Sequence, residues 1–346
     1  MVTKTRPRGE EIRHFILRHV AEHPKGIGKL TAAHFGITRQ AVNKHLQKLT
    51  AESALEARGR TRNREYQLRR KDNWTRVYRL GAKLAEDVVW RQDVRPVLGQ
   101  LPENVVDIWT YGFTEMFNNA IDHSEGALVT VSIERTAQET AVLIKDDGVG
   151  IFHKIKEKLN LLDERHAILE LAKGKLTTDP RRHTGEGIFF TSRMFDMFNI
   201  MSRGVHFAHE FGDPEDWIME SENSDTGTVV QMRLNNHTAR TTSEVFNEFT
   251  VGDDFGFNKT VVPVELARYG NEKLISRSQA KRLMARFELF KTVVLNFQGV
   301  ETIGQAFADE LFRVFPQAHP ETSLVAIRAT EPVQRMIARA RGILGQ

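Results

Sequence analysis

Three short strings in a fixed order within residues 115–190 constrain this chain more than any other feature: EMFNNAIDH (115–123), DDGVGI (146–151) and TGEGIFF (184–190). The first lies in a helical pattern. Trp109, Phe113, Met116, Phe117 and Ala120 recur at helical spacing, which predicts a helix over 103–122. Glu115, Asn119 and His123 fall at i, i+4 and i+8, along one adjacent stripe. Residues 128–135 and 139–146 read as two antiparallel strands, the second ending at Asp146. Gly148 and Gly150 follow, and glycine lets a backbone pass close to a ligand. Gly185 and Gly187 lead into a further helix. Residues 226–233 read as a closing strand, whose Thr228 suits a supporting partner for Asp146. Between the second and third strings, the charged stretch 152–183 has a composition that suits a lid or a plain surface insertion.

Each string has a chemical reading and a bland one. An Asn side-chain oxygen can ligate Mg²⁺ without adding negative charge against phosphates, and a Glu one turn away can orient or deprotonate a water. A Glu-x-x-x-Asn pair also suits an ordinary solvent-facing helix. Asp146 can accept a hydrogen bond from an adenine amino group, while DDGVGI also suits a simple exit turn. Backbone N–H groups at a glycine-led helix start can hold phosphate. It is the order of the three strings that favours ATP and Mg²⁺.

In that order the strings resemble the GHKL ATPase superfamily, which includes gyrase, histidine kinases and the anti-sigma-factor serine kinases. The resemblance covers most of 85–235 and implies a two-layer α/β sandwich of the Bergerat type. It implies that Asn119 binds Mg²⁺, that Asp146 reads adenine and that Glu115 is the general base. It also implies that Gly148, Gly150, Gly185 and Gly187 frame the nucleotide, with His123 and Thr228 in the same site. One position departs from the pattern: Phe189 stands where many members have a glycine. No histidine occurs between His45 and His123, so the helices before this unit lack a phosphoacceptor.

Ahead of this unit the charge changes sign. Residues 1–71 hold 17 of the 49 Lys/Arg but 6 of the 45 Asp/Glu, or +11; the remainder carries 32 against 39, or −7. A basic head on an acidic body points to a polyanion partner. Residues 10–22 and 29–35 read as helices. A third opens at Thr38, an N-cap type, and 54–68 reads as two strands around a turn near 59–63. This order resembles an α+β winged helix-turn-helix. The resemblance implies double-stranded DNA as partner, with Thr38, Arg39, Gln40, Asn43 and Lys44 at the major groove and Arg58, Arg60, Arg62 and Arg64 on the wing.

Residues 245–346 alternate strand and helix: a helix over 276–288, strands at 292–297 and 323–329, helices at 304–315 and 331–340. A small α/β domain follows from this alternation. The run VVLNFQGVETIGQAFADEL resembles the STAS fold of anti-anti-sigma factors. The segment that carries a phosphorylated serine in that family reads Gly304-Gln305-Ala306-Phe307 here, with Ala306 in the acceptor's place. A docking or sensing role is the reading this leaves, with a protein as the partner a docking role would take.

The expectation is thus a multidomain chain, with units at 1–71, 75–237 and 245–346, acting as an ATP-responsive DNA-binding regulator. The alternatives are a serine/threonine protein kinase acting on a separate protein, or the ATP-binding module of a larger assembly. The absence of cysteine excludes disulfides, thiolate catalysis and zinc–thiolate sites. No long apolar stretch is present, so a cytoplasmic protein without a membrane span is expected, and a homodimer is compatible with it.

Overall fold

The computed structural model describes residues 7–59, 64–69, 72–176, 185–212, 216–220, 226–250, 256–268 and 272–342. Arg60, Arg62 and residues 177–183 of the expected lid lie outside the described residues.

The N-terminal region comprises α1 (Pro7–His19), α2 (Ile27–Phe35), α3 (Arg39–Ala51) and an antiparallel ribbon of β1 (Leu55–Arg58) and β2 (Glu65–Leu68). Ile12, Ile16, Val20, Ile27, Val42, Leu46 and Leu49 form its core. Gly36, in the left-handed region at φ 62°, ends α2. The Thr38 hydroxyl then caps α3 by accepting from the Ala41 N–H at 3.2 Å.

The middle region is built on a seven-stranded sheet of β3 (Asp72–Arg79), β4 (Leu128–Arg135), β5 (Glu139–Asp146), β6 (Met197–Ser202), β7 (Val205–Glu210), β8 (Asp216–Glu220) and β9 (Thr228–Asn235). Its order is β3-β4-β5-β9-β6-β7-β8, and each pairing is antiparallel. Alternate residues of β4, β5 and β9 are buried, so one face carries the core. Over that face lie α4 (Glu86–Val89), α5 (Arg95–Leu98), α6 (Glu103–His123), α7 (Ile151–Leu159), α8 (Glu164–Lys173) and α9 (Gly187–Met194). A π turn over Trp90–Val94 joins α4 to α5. It widens the helix just before Pro96, which has no N–H to give and whose ring crowds the preceding turn.

Helix α6 is the spine of this layer. Trp109, Phe113 and Phe117 are fully buried, each worth about 2 kcal/mol by area. Gly112 lets the helix approach α9, because an added Cβ would overlap the Phe195 ring.

The C-terminal region follows α10 (Thr242–Glu248). It is a parallel sheet of β10 (Lys259–Pro263), β11 (Thr292–Asn296) and β12 (Ser323–Ile327), in that spatial order. Helix α11 (Arg277–Met284) connects β10 to β11. The helix read at 304–315 runs on as α12 (Gln305–Asp309), a π turn (Glu310–Val314) and α13 (Phe315–Ala318), again widening before a proline. The last helix, α14 (Glu331–Ala340), packs Val333 and Ile337 into the core. Among the described residues no helix is long and apolar enough to cross a membrane.

Gly112→Ala is expected to cost about 1–3 kcal/mol, because the Phe195 ring must move. The shift of the urea unfolding midpoint measures it.

Candidate functional site

Glu115, Asn119, His123, Asp146, Gly185, Gly187 and Thr228 line one cavity of about 350 Å³. Its floor is a row across three strands, Ile144, Val230 and Ile200, which the register of β5, β9 and β6 sets side by side. Leu171 of α8 and Leu176 also line it.

Asp146 ends β5, two residues beyond Ile144 of the floor. Its Oδ1 accepts the N–H groups of Gly148 at 2.9 Å and Thr228 at 3.2 Å. Burial pushes its carboxyl pKa above the usual range, and these two hydrogen bonds oppose that shift. The Thr228 hydroxyl accepts the Ile151 N–H at 3.0 Å, so one residue fixes both Asp146 and the start of α7. The neighbouring Asp147 has a different task. Its Oδ1 accepts from Ala127 and Leu128 at 2.8 and 2.9 Å, and these bonds to the start of β4 hold its pKa down.

Gly148 and Gly150 do not line the cavity; they shape the turn behind it. A Cβ on Gly148 would overlap the Ser124 carbonyl oxygen, the same oxygen that accepts the Val149 N–H at 2.8 Å. At the other end, Gly187 opens α9 against Glu115. A Cβ there would overlap Glu115 Oε2, so the glycine lets the carboxylate lie against the helix start. One turn before Glu115, the half-buried Tyr111 phenol has its pKa pushed up by burial and by the charges of Glu115 and Glu186.

Sequence reading missed several lining residues. The inward positions of β5, β9 and β6 follow from strand alternation, but their juxtaposition needs the register. Lys154, one turn into α7, also lines the cavity. Its Nζ donates to the His123 carbonyl at 2.7 Å and pairs with Glu125 at 2.7 Å.

The expected lid is only partly a surface element. Residues 166–173 of α8 are buried, and Lys173 is completely so. The helix is held between the sheet layer and the C-terminal region, not free above the cavity. Phe189, at the position that departs from the family pattern, is also buried; its ring lies 4.5 Å from Phe257 and 4.9 Å from Phe249.

In the N-terminal region, Thr38, Arg39, Gln40, Asn43 and Lys44 are all exposed along the first turns of α3. Arg58 and Arg64 are exposed on the ribbon. Arg58 pairs with Glu56 at 3.2 Å, and Arg64 lies 5.4 Å from the Tyr66 ring centre.

Two comparisons bear on this arrangement. Residues 82–211 match the family model of the histidine kinase-like ATPase domain. Residues 279–334 match that of a STAS-like domain of unknown function (DUF4325). No curated protein matches the chain. The middle region is therefore a domain of the histidine kinase-like ATPase (GHKL) class, and a STAS-like domain lies C-terminal to it. The sheet extends beyond the first match, through β8 and β9, and β9 supplies Thr228. Before the second match, β10 adds a strand to the C-terminal sheet.

Two substitutions separate shape from chemistry. Asp146→Asn keeps an acceptor at Oδ1 and is expected to change stability by less than about 1 kcal/mol. Gly148→Ala collides with backbone and is expected to cost about 1–3 kcal/mol. Thermal unfolding of the two proteins checks both.

Proposed function

We propose that this chain is an ATP-binding, ATP-responsive DNA-binding regulator, with units bounded near 1–71, 75–237 and 245–346. The observation that carries the nucleotide half is the single cavity shared by Glu115, Asn119, His123, Asp146, Gly185, Gly187 and Thr228. Its contents fit ATP and Mg²⁺. The apolar floor ends in a carboxylate suited to the adenine amino group. The glycine-led start of α9 offers N–H groups and a positive dipole end to phosphate. Between them, the Asn119 carboxamide offers one oxygen ligand, leaving a hard cation its waters and phosphate oxygens. His123 lies one turn further along the same stripe. When bound, Mg²⁺ neutralises phosphate charge and draws electrons from the γ-phosphoryl group. Glu115 is the general base, orienting a water or hydroxyl and taking its proton.

The DNA half rests on the N-terminal region. Three helices and a basic ribbon have the order of a winged helix-turn-helix, and α3 leaves its N-terminal polar residues exposed. Arg39, Gln40 and Asn43 suit base edges, with Thr38 and Lys44 beside them. Arg58 and Arg64, with Arg60 and Arg62 between them in sequence, suit phosphate or the minor groove.

The fold also supports coupling between the two. Strands β5 and β9 run eight residues each, about 25 Å, between the cavity and the N-terminal region. At one end are Asp146 and Thr228. At the other, Ala137 packs on the N-terminal core, and the His237 ring lies 4.6 Å from that of His14. A change at the nucleotide therefore has two rigid strands along which to reach the DNA-binding unit.

The test is DNA affinity with and without ATP–Mg²⁺, for the wild type and Asn119→Ala. ATP is expected to shift wild-type affinity about fivefold or more, a usual size for coupled sites, and to leave the variant unmoved. Equal DNA binding in every case would contradict the coupling.

A further inference from the structure

The C-terminal domain touches both elements that flank the phosphate end of the cavity. On one side is α8, which turns Leu171 toward the cavity and Glu170 and Lys173 toward the C-terminal domain. Lys173 Nζ bonds Glu170 Oε1 at 2.6 Å and donates to the Ala285 carbonyl at 2.9 Å. Arg286 donates to Glu170 Oε2 at 2.9 Å and to the Gly174 carbonyl. Thr260 of β10 donates to the Lys173 carbonyl at 2.7 Å, and Lys175 to the Leu289 carbonyl at 2.9 Å. Three consecutive positions, Lys173, Gly174 and Lys175, are thus held from the far domain, directly before Leu176 of the cavity wall.

On the other side is α9, which begins at Gly187. Phe189 and Phe190 of its first turn pack against Phe257, with ring centres 4.5 and 4.9 Å apart. Phe257 in turn meets Phe290 at 5.3 Å. Gly174 sits in the same seam: an added Cβ would lie 2.6 Å from the Phe257 ring and 3.1 Å from that of Phe189. The aromatic residue that departs from the family pattern is therefore an anchor to the C-terminal domain.

We propose that the C-terminal domain is a working part of the nucleotide site, with Arg286 and Phe257 as positioning residues that hold α8 and α9 at the spacing that closes the cavity. Neither residue lines the cavity, so both act through others. The proposal rests on the nucleotide reading given above. Weakening the seam lets the cavity walls separate and lowers nucleotide affinity, and bound nucleotide in turn tightens the seam, since coupling between sites is reciprocal.

The chemistry of the seam makes the test clean. Removing Arg286 leaves Glu170 still paired with Lys173, a neutral pair, so the fold has no unpaired buried carboxylate to accommodate. Binding of a fluorescent ATP analogue with Mg²⁺ is measured on the full chain, for the wild type, Arg286→Gln, Phe257→Leu and the exposed control Lys281→Ala. The two seam variants are expected to bind about tenfold more weakly, with the control unchanged. Hydrogen exchange over residues 164–174 should slow on nucleotide addition in the wild type and slow less in Arg286→Gln. A purely structural role would lower the melting temperature and leave both readouts of the folded fraction as they were. Folded seam variants with wild-type affinity overturn the proposal. A wild type that binds no nucleotide overturns the nucleotide reading itself. Should Arg286→Gln not fold, Arg286→Lys replaces it. The lysine keeps a cation at Glu170 but cannot also reach Gly174, so an intermediate loss is expected, and wild-type affinity overturns the proposal.

Discussion

The register of β5 against β9, and of β9 against β6, is the constraint on which the rest depends. It sets Ile144, Val230 and Ile200 in one row and so makes an apolar floor. It also brings Thr228 to Asp146, where the buried carboxyl receives two backbone N–H groups. A slip of one residue would turn every one of these side chains to the other face of the sheet. Alternating burial along β4, β5 and β9 holds the register, because only one face meets α6. The polar residues of α6 then stand over that floor in a fixed order, Glu115 nearest the start of α9.

The domains are less independent than their sequence boundaries suggest. The core of the ATPase layer and that of the STAS-like domain form one continuous set of buried residues. Buried charge crosses the seam as well as apolar area. Lys173 is held without exposure to water, and burial draws its pKa down to about 8 while Glu170 opposes the shift. A buried ion cluster of this kind adds little net stability, but its geometry is specific. It fixes where α8 ends, three residues before the chain meets the cavity again at Leu176.

Much of the site was legible because its signals are local. The helix at 103–122 and the strands at 128–135 and 139–146 emerge within a residue of the expected bounds, since each is long and strongly periodic. The capping role of Thr38 follows from residue type and position. What escaped is non-local. Strand β10 is five residues long and ends in Pro263, too short for a periodic pattern to stand out. The helix read at 304–315 runs on through Pro316 to Ala318, and a π turn ahead of the proline supplies the accommodation. The insertion read as a lid or a surface element because it is charged. Two of its charges, Glu170 and Lys173, are instead buried and matched by each other, by Arg286 and by backbone carbonyls more than 100 residues away. Phe189 looked like an irregularity in a phosphate loop and is a packing residue at a domain seam.

Titration of the full chain with ATP and with GTP, in Mg²⁺ and then in excess chelator, tests the central claim most directly. On the proposed reading, the Asp146 carboxylate would accept from the adenine amino group but would meet an oxygen in guanine. The account predicts one ATP site per chain that requires Mg²⁺ for full affinity, with GTP weaker by about a hundredfold or more. Equal affinity for the two nucleotides, or no binding of either, would contradict it.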